Sequence, residues 1–164
     1  MYIGALISFL SGIFFLYTQL IIVPNISIAG VAPLILLPWM INVVWQRDWR
    51  VSLPVVFVIG LMYDTLNPLS FGLNALLFTI LAVVIDLLRI PFEQDSIAAK
   101  LIAIVSVNVI YSLLLYLSSG LSWGFDLALH QNSLIFFVYN LLFGTFIFGL
   151  IQVICKLRIV VRHD

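Results

Sequence analysis

Apolar runs about as long as a bilayer is thick recur along this chain, and the breaks between them carry most of its charge. A helix rises ~1.5 Å per residue, so a run of ~20 apolar residues matches a ~30 Å hydrocarbon core. The 164 residues are 64% hydrophobic and 9% charged, whereas a soluble domain carries about a quarter charged residues. Too little polar surface exists to cover a water-facing globule, so the sequence predicts an integral membrane protein. The runs are continuous rather than alternating, which favours helices over the strands of a barrel. A formal net charge of zero leaves no electrostatic footprint for nucleic acid. The single cysteine, Cys155, excludes an internal disulfide and a cysteine-built metal site.

Taken in order, the runs predict six spans in one domain, an all-α polytopic bundle at about residues 3–23, 30–45, 51–66, 73–90, 97–118 and 134–155. The first lacks a basic leader and a small-residue cleavage site, so it reads as an uncleaved span. Gly4, Ser8 and Gly12 fall four apart on it, a stripe along which two helix backbones can approach closely. Packing within the chain, a dimer and a partner seam are the alternatives for that stripe. In the second span Pro33 suits a first turn, and Pro38 is expected to kink the helix. Trp45 and Trp49 flank the charged turn at 47–50 as interfacial anchors. Ser52 is a candidate N-cap of the third span, with Pro54 in its first turn, and Asp95 or Ser96 caps the fifth. Asp86 and Arg89 are placed to pair at a solvated helix end. Asn108, Tyr111 and Ser112 share a face of the fifth span, as do Asn140, Gly144 and Phe148 of the sixth. Residues 120–133, with Asp126 and His130, read as a polar-leaning loop with a short interfacial helix. No internal repeat is visible.

Six spans put the breaks at 47–50 and 89–100 and the tail after Cys155 on one side, and these hold every Lys and Arg. The positive-inside rule then makes both termini cytoplasmic and sets Asp64, Asn67, Asp126 and His130 on the outer face. Catalytic signals are scarce. His130 and His163 fall on opposite sides, no metal, nucleophile or phosphate-loop motif is present, and no cofactor is implied. The expectation is a protein that is not an enzyme. A transporter reading draws on the broken third span and on Gln19, Asn108 and Asn140, which can face one interior. Cys155 and both histidines take no assigned role.

The most informative stretch is residues 60–76, where Asp64, the helix-breaking Asn67-Pro68, Gly72 and Asn74 separate two apolar runs. A carboxylate costs roughly 3 kcal/mol at the centre of a spanning helix and less near an interface, so it needs a partner or a task. Asp64 can accept hydrogen bonds from the free N–H groups of the turn that opens the next helix, or contact a partner directly, or fix the turn that a partner meets. Gly60 and Gly72 read as close-approach or positive-φ positions.

At Gly60-x-x-x-Asp64 and Gly72-Leu73-Asn74-Ala75-Leu76 the chain resembles the rod shape-determining MreD family of bacteria, and length and hydropathy layout extend the likeness over nearly the whole chain. Many members carry Ser-Gly where this chain has Asn67-Pro68. The resemblance implies the fold of the membrane S-component of energy-coupling-factor transporters. It also implies a non-enzymatic scaffold of the elongation machinery in the inner membrane, acting with MreC, MreB, RodA and a class B penicillin-binding protein in lateral peptidoglycan synthesis. The candidate partner-binding or structural residues of this chain are Gly60, Asp64, Asn67, Pro68, Gly72 and Asn74, and Gly4, Ser8 and Gly12 form a candidate helix-packing stripe. The basic tail (Lys156, Arg158, Arg162) suits anionic lipid. The S-component likeness keeps a subunit of a vitamin-type transporter as the second expectation.

Overall fold

The computed structural model describes residues 2–28, 30–66, 68–92 and 96–160. Asn67, Glu93, Asp95, Arg162 and His163 lie outside the described residues, as do the side chains of Cys155, Lys156 and Arg158. The protein is all-α, with six α-helices among the described residues: α1 Tyr2–Ile21, α2 Leu36–Gln46, α3 Trp49–Asp64, α4 Leu73–Arg89, α5 Ile97–Trp123 and α6 Leu127–Val160.

Three stretches are long and apolar enough to cross a membrane: Ile3–Ile21, Ile97–Trp123 and Leu127–Val153. Their outward faces are bare and apolar, with Phe14 67% exposed, Leu142 67% and Phe146 62%. Apolar surface on that scale is what lipid covers, and the protein is membrane-associated.

The other three helices are shorter, and α2 is the innermost. At 11 residues it reaches only ~16 Å, and it contacts α1, α3, α4, α5 and α6. Nine of its residues are buried, from Leu36 to Trp45. Trp39, Met40 and Val44 meet a core that includes Ile59 of α3, Phe78, Leu81 and Ile85 of α4, and Val107 of α5. The helix starts six residues later than its hydropathy suggested, because Gly30 sits at φ +78° and residues 32–34 carry no regular structure. That shift corrects the reading of Pro38. It falls in the first turn of α2, where no N–H is required, so it starts the helix instead of kinking it.

Other boundaries move for local reasons. Asp48, not Ser52, caps α3, accepting from the Arg50 N–H at 3.1 Å; Ser52 lies inside the helix and is fully buried. Ser96 caps α5 through the Ala99 N–H at 3.3 Å. The loop expected over residues 120–133 contracts to 124–126. Gly124 at φ +92° ends α5, and the Asp126 carboxylate accepts from the Leu129 N–H at 2.7 Å to open α6. His130 therefore sits on a helix, its Nδ1–H donating to the Asp126 carbonyl (2.6 Å) and its Nε2 meeting the Tyr116 hydroxyl (2.8 Å).

The stripe on α1 is filled from within the chain. A Cβ on Gly12 would stand 2.7 Å from the Trp39 ring and 2.8 Å from Ile59, and one on Gly4 would stand 2.8 Å from the Arg47 guanidinium. Ser8 is buried, and the Trp39 indole N–H donates to Ser11 Oγ at 3.0 Å. Gly12 thus lets Trp39 of α2 and Ile59 of α3 close on α1, and Gly4 does the same for the Arg47 side chain. At the same end of the bundle, Arg89 pairs with Asp86 at 2.7 Å. It also does more than close a solvated helix end, since its guanidinium donates to the carbonyls of Val44 (2.7 Å) and Arg47 (2.5 Å), ending α2.

Candidate functional site

Asp64 is the last residue of α3 and is fully buried. Burial is tolerable because both carboxylate oxygens are engaged by the start of α4. Oδ1 accepts from the Asn74 backbone N–H (3.1 Å) and from Asn74 Nδ2 (2.9 Å), and Oδ2 accepts from the Ala75 N–H (2.9 Å). These are among the orphan donors of a helix N-terminus, where the helix dipole favours a negative charge. The structural role read for Asp64 is thus what the hydrogen bonds describe, with the donors at positions 74 and 75, at the far edge of the turn.

Asn74 extends the network. Its Oδ1 accepts from the Tyr111 hydroxyl of α5 at 2.8 Å, and the Tyr111 ring lies 6.0 Å from the rings of Phe78 and Phe136. Three helices are therefore tied through one buried chain, Asp64–Asn74–Tyr111. Tyr111 was visible in the sequence only as one member of a polar face; its partner was not.

The glycines make the geometry accessible. A Cβ at Gly60 would lie 2.6 Å from the Ala75 Cα and 3.1 Å from the Ala75 nitrogen, so only glycine lets α3 approach the first turn of α4 this closely. Gly72 takes φ +90° at the N-cap of α4, a left-handed conformation that favours glycine. Pro68 opens a short 3₁₀ turn, Pro68–Ser70. The result is a fixed turn that presents Leu66 (53% exposed), Phe71 (60%) and Leu76 (57%) on its outside.

A second polar device sits beside it. After α1 the chain forms a 3₁₀ turn at Val23–Ile26 and a short bridge between Ile28 and Val31, then runs back into the bundle as a strap. Buried amides from two long helices receive it. Gln19 of α1 donates to the Pro33 carbonyl at 2.9 Å and accepts from the Ile35 N–H at 2.7 Å. Asn140 of α6 accepts from the Leu34 N–H at 2.6 Å. Tyr139 donates to the Ile26 carbonyl at 2.5 Å. Gln19 and Asn140 do converge, on the strap; Asn108 is held elsewhere, where it meets the Ser112 hydroxyl at 3.5 Å.

Cavities lie on both flanks of the strap, and Ala32 lines each of them. One, of about 190 Å³, reaches Gln19, Tyr63 and Asn74. The other, of about 290 Å³, opens between the strap and the α5–α6 hairpin.

Asp64 is fully buried, whereas Asn74 also borders the smaller cavity. The hydrogen bonds of Asp64 and Asn74 run to one another, to the α4 backbone and to the Tyr111 hydroxyl, and together they fix the shape of the turn. No family model, curated protein or solved structure matches the chain, and the resemblance at residues 60–76 rests on those residues themselves.

Proposed function

We propose that the chain is a non-catalytic scaffold of the bacterial cell-elongation machinery, akin to the MreD family, that binds MreC in the inner membrane. On this reading all six helices are membrane-embedded, with α2, α3 and α4 held among the longer three and both termini cytoplasmic. The observation that carries the reading is the turn between α3 and α4. A buried carboxylate fixes it from behind, while Leu66, Phe71 and Leu76 stand exposed in front. Helix association in lipid depends on close packing against a pre-shaped surface, and this turn is such a surface. It also coincides with the residues on which the family resemblance rests. Arg47 and Arg89 lie together at the opposite end of the bundle, which suits a cytoplasmic face. MreB, RodA and the class B penicillin-binding protein are proposed as members of the same assembly.

The test is recovery of the tagged protein from solubilised native membranes, with mass spectrometry of proteins and small molecules together. Co-recovery of MreC, lowered by Phe71→Ser or Leu76→Ser at unchanged protein level, is the expected result. Recovery without MreC, or recovery indifferent to those substitutions, removes the turn as the docking surface.

A second reading, the substrate-binding subunit of a small-molecule transporter, is favoured by the two cavities beside the strap. In the same experiment it calls for ATPase subunits or a stoichiometric metabolite.

A further inference from the structure

The larger cavity brings together hydroxyl groups of α5 and α6 that make no hydrogen bond to any described residue. Several hydroxyls of the bundle fold back on their own helix: Thr18 donates to the Phe14 carbonyl, Thr79 to Ala75, Ser122 to Ser118 and Thr145 to Leu141. That is the usual way to satisfy a hydroxyl in an apolar setting. Ser119 of α5 and Ser133 of α6 line the cavity and make no such bond to any described residue. Ser8, Ser52, Ser106 and Ser118 of the helices also make none, Ser52 being fully buried, but they do not line it. Asn132 adds an unengaged carboxamide at the mouth, where it is exposed. Ser112, nearly buried, has only its long 3.5 Å contact with Asn108. Tyr116 contributes a phenol already held by His130.

Between these groups the same two helices contribute apolar lining, Leu115 from α5 and Leu129 and Phe136 from α6. Among the described lining residues none is Asp, Glu, Lys or Arg. A charged occupant would lose water and find no counter-charge, which is costly. A purely hydrocarbon occupant would leave the free hydroxyls and the amide unpaired. The lining suits a molecule with both characters: an apolar face and several neutral hydroxyls. The volume, about 290 Å³, lies at the lower end of the ~300–1,000 Å³ usual for ligand pockets, so the occupant is small.

We propose that this cavity binds an uncharged, polyhydroxylated group about the size of one sugar ring. Ser119, Ser133 and Asn132 pair with its hydroxyls, and Leu115 and Phe136 cover its C–H face. The strap residues Gly30, Val31 and Ala32 close the remaining side. This inference goes beyond the scaffold reading and does not rest on it, since the cavity lies on the α5–α6 side of the strap and involves none of Leu66, Phe71 and Leu76. A free glycoside and the headgroup of a neutral glycolipid share the chemistry.

The test uses the full chain purified in a zwitterionic detergent that carries no sugar. Isothermal calorimetry then follows methyl β-D-glucopyranoside and, separately, octyl β-D-glucoside below its micelle concentration. Ser119→Leu and Ser133→Leu each fill the cavity from a helix that tolerates leucine, and thermal unfolding confirms that each variant folds. Expected is saturable binding of at least one probe, weakened tenfold or more in both variants. Binding of the free glycoside identifies a soluble ligand, whereas binding of octyl glucoside alone identifies a lipid headgroup. Absence of saturable binding by either probe to the wild type, or equal binding by wild type and folded variants, overturns the proposal. Loss of MreC recovery bears only on the scaffold, so failure of one reading is distinguishable from failure of the other.

Discussion

Gly60 and Ala75 bring the backbones of α3 and α4 into contact, with the position of a Cβ on Gly60 only 2.6 Å from the Ala75 Cα. Backbone cannot step aside as a flexible side chain can. Gly60→Ala is expected to push the two helices apart and to lower stability by about 1–3 kcal/mol, the usual cost of overpacking. Gly149→Ala is the control, because nothing lies within 4 Å of a Cβ there and alanine favours a helix interior. Thermal unfolding in detergent checks the pair: Gly60→Ala lowers the midpoint and Gly149→Ala leaves or raises it. Equal midpoints would mean that the helices do not need the close approach.

Asp64→Asn keeps the size of the side chain and replaces one acceptor with a donor. Whichever way the amide turns, an NH₂ group faces backbone N–H of Asn74 or Ala75. A loss of about 2–3 kcal/mol is expected from the broken charge-assisted bonds and the stranded donors. Any fall in MreC recovery should then track unfolding of the turn. A variant with wild-type stability but no recovery of MreC would instead give the carboxylate a direct contact.

Tyr111→Phe removes one hydroxyl and leaves Asn74 Oδ1 without its donor. The expected cost is about 1 kcal/mol, smaller than that of Asp64→Asn because Asn74 keeps its bond to the carboxylate. Combined with Asn74→Ala, the two effects should be less than additive, since both act on one bond. Strict additivity in a double-mutant cycle would separate Tyr111 from the network.

Gln19→Leu removes both side-chain bonds by which α1 holds the strap. The strap should loosen while α1 itself stays apolar and helical. A cysteine placed at Ser27 reports this through its rate of maleimide labelling, expected to rise several-fold in Gln19→Leu and again in Gln19→Leu/Asn140→Leu. Unchanged labelling would mean that packing alone holds the segment.

Much of the plan was legible in the sequence because apolar runs and turn residues act locally. The breaks at 22–25, 47–48 and 67–72 all fall where proline, glycine or charge interrupts a run, and α4 lies almost where its hydropathy put it. The stretch from Gly60 to Asn74 was identifiable because a carboxylate between apolar runs demands an account. What could not be read was anything that depends on an amide's distant partner. Gln19 and Asn140 looked like polar residues sharing an interior, and only the fold shows that both serve the strap. The start of α2 differs for the same reason: Val31–Ile35 is apolar enough to be helix, but the Leu34 and Ile35 N–H groups bond to side chains of α6 and α1 instead. The polar-leaning alternation over residues 120–133 suggests a long loop, whereas the chain turns within 124–126. The effective signals were two residues, Gly124 and Asp126.

The bond from the Leu34 N–H to Asn140 joins residues 106 positions apart, and this separation bears on biosynthesis. A chain made from its N-terminus reaches α2 long before α6 exists. Until α6 is made, the Leu34 N–H at the start of α2 lacks its Asn140 partner, which favours leaving the strap open. Insertion of α6 then completes the innermost helix as well as adding the outermost wall. Chains cut before Asn140 should therefore retain an accessible strap, and the membrane quality-control machinery would meet an unfinished centre rather than a smaller finished bundle.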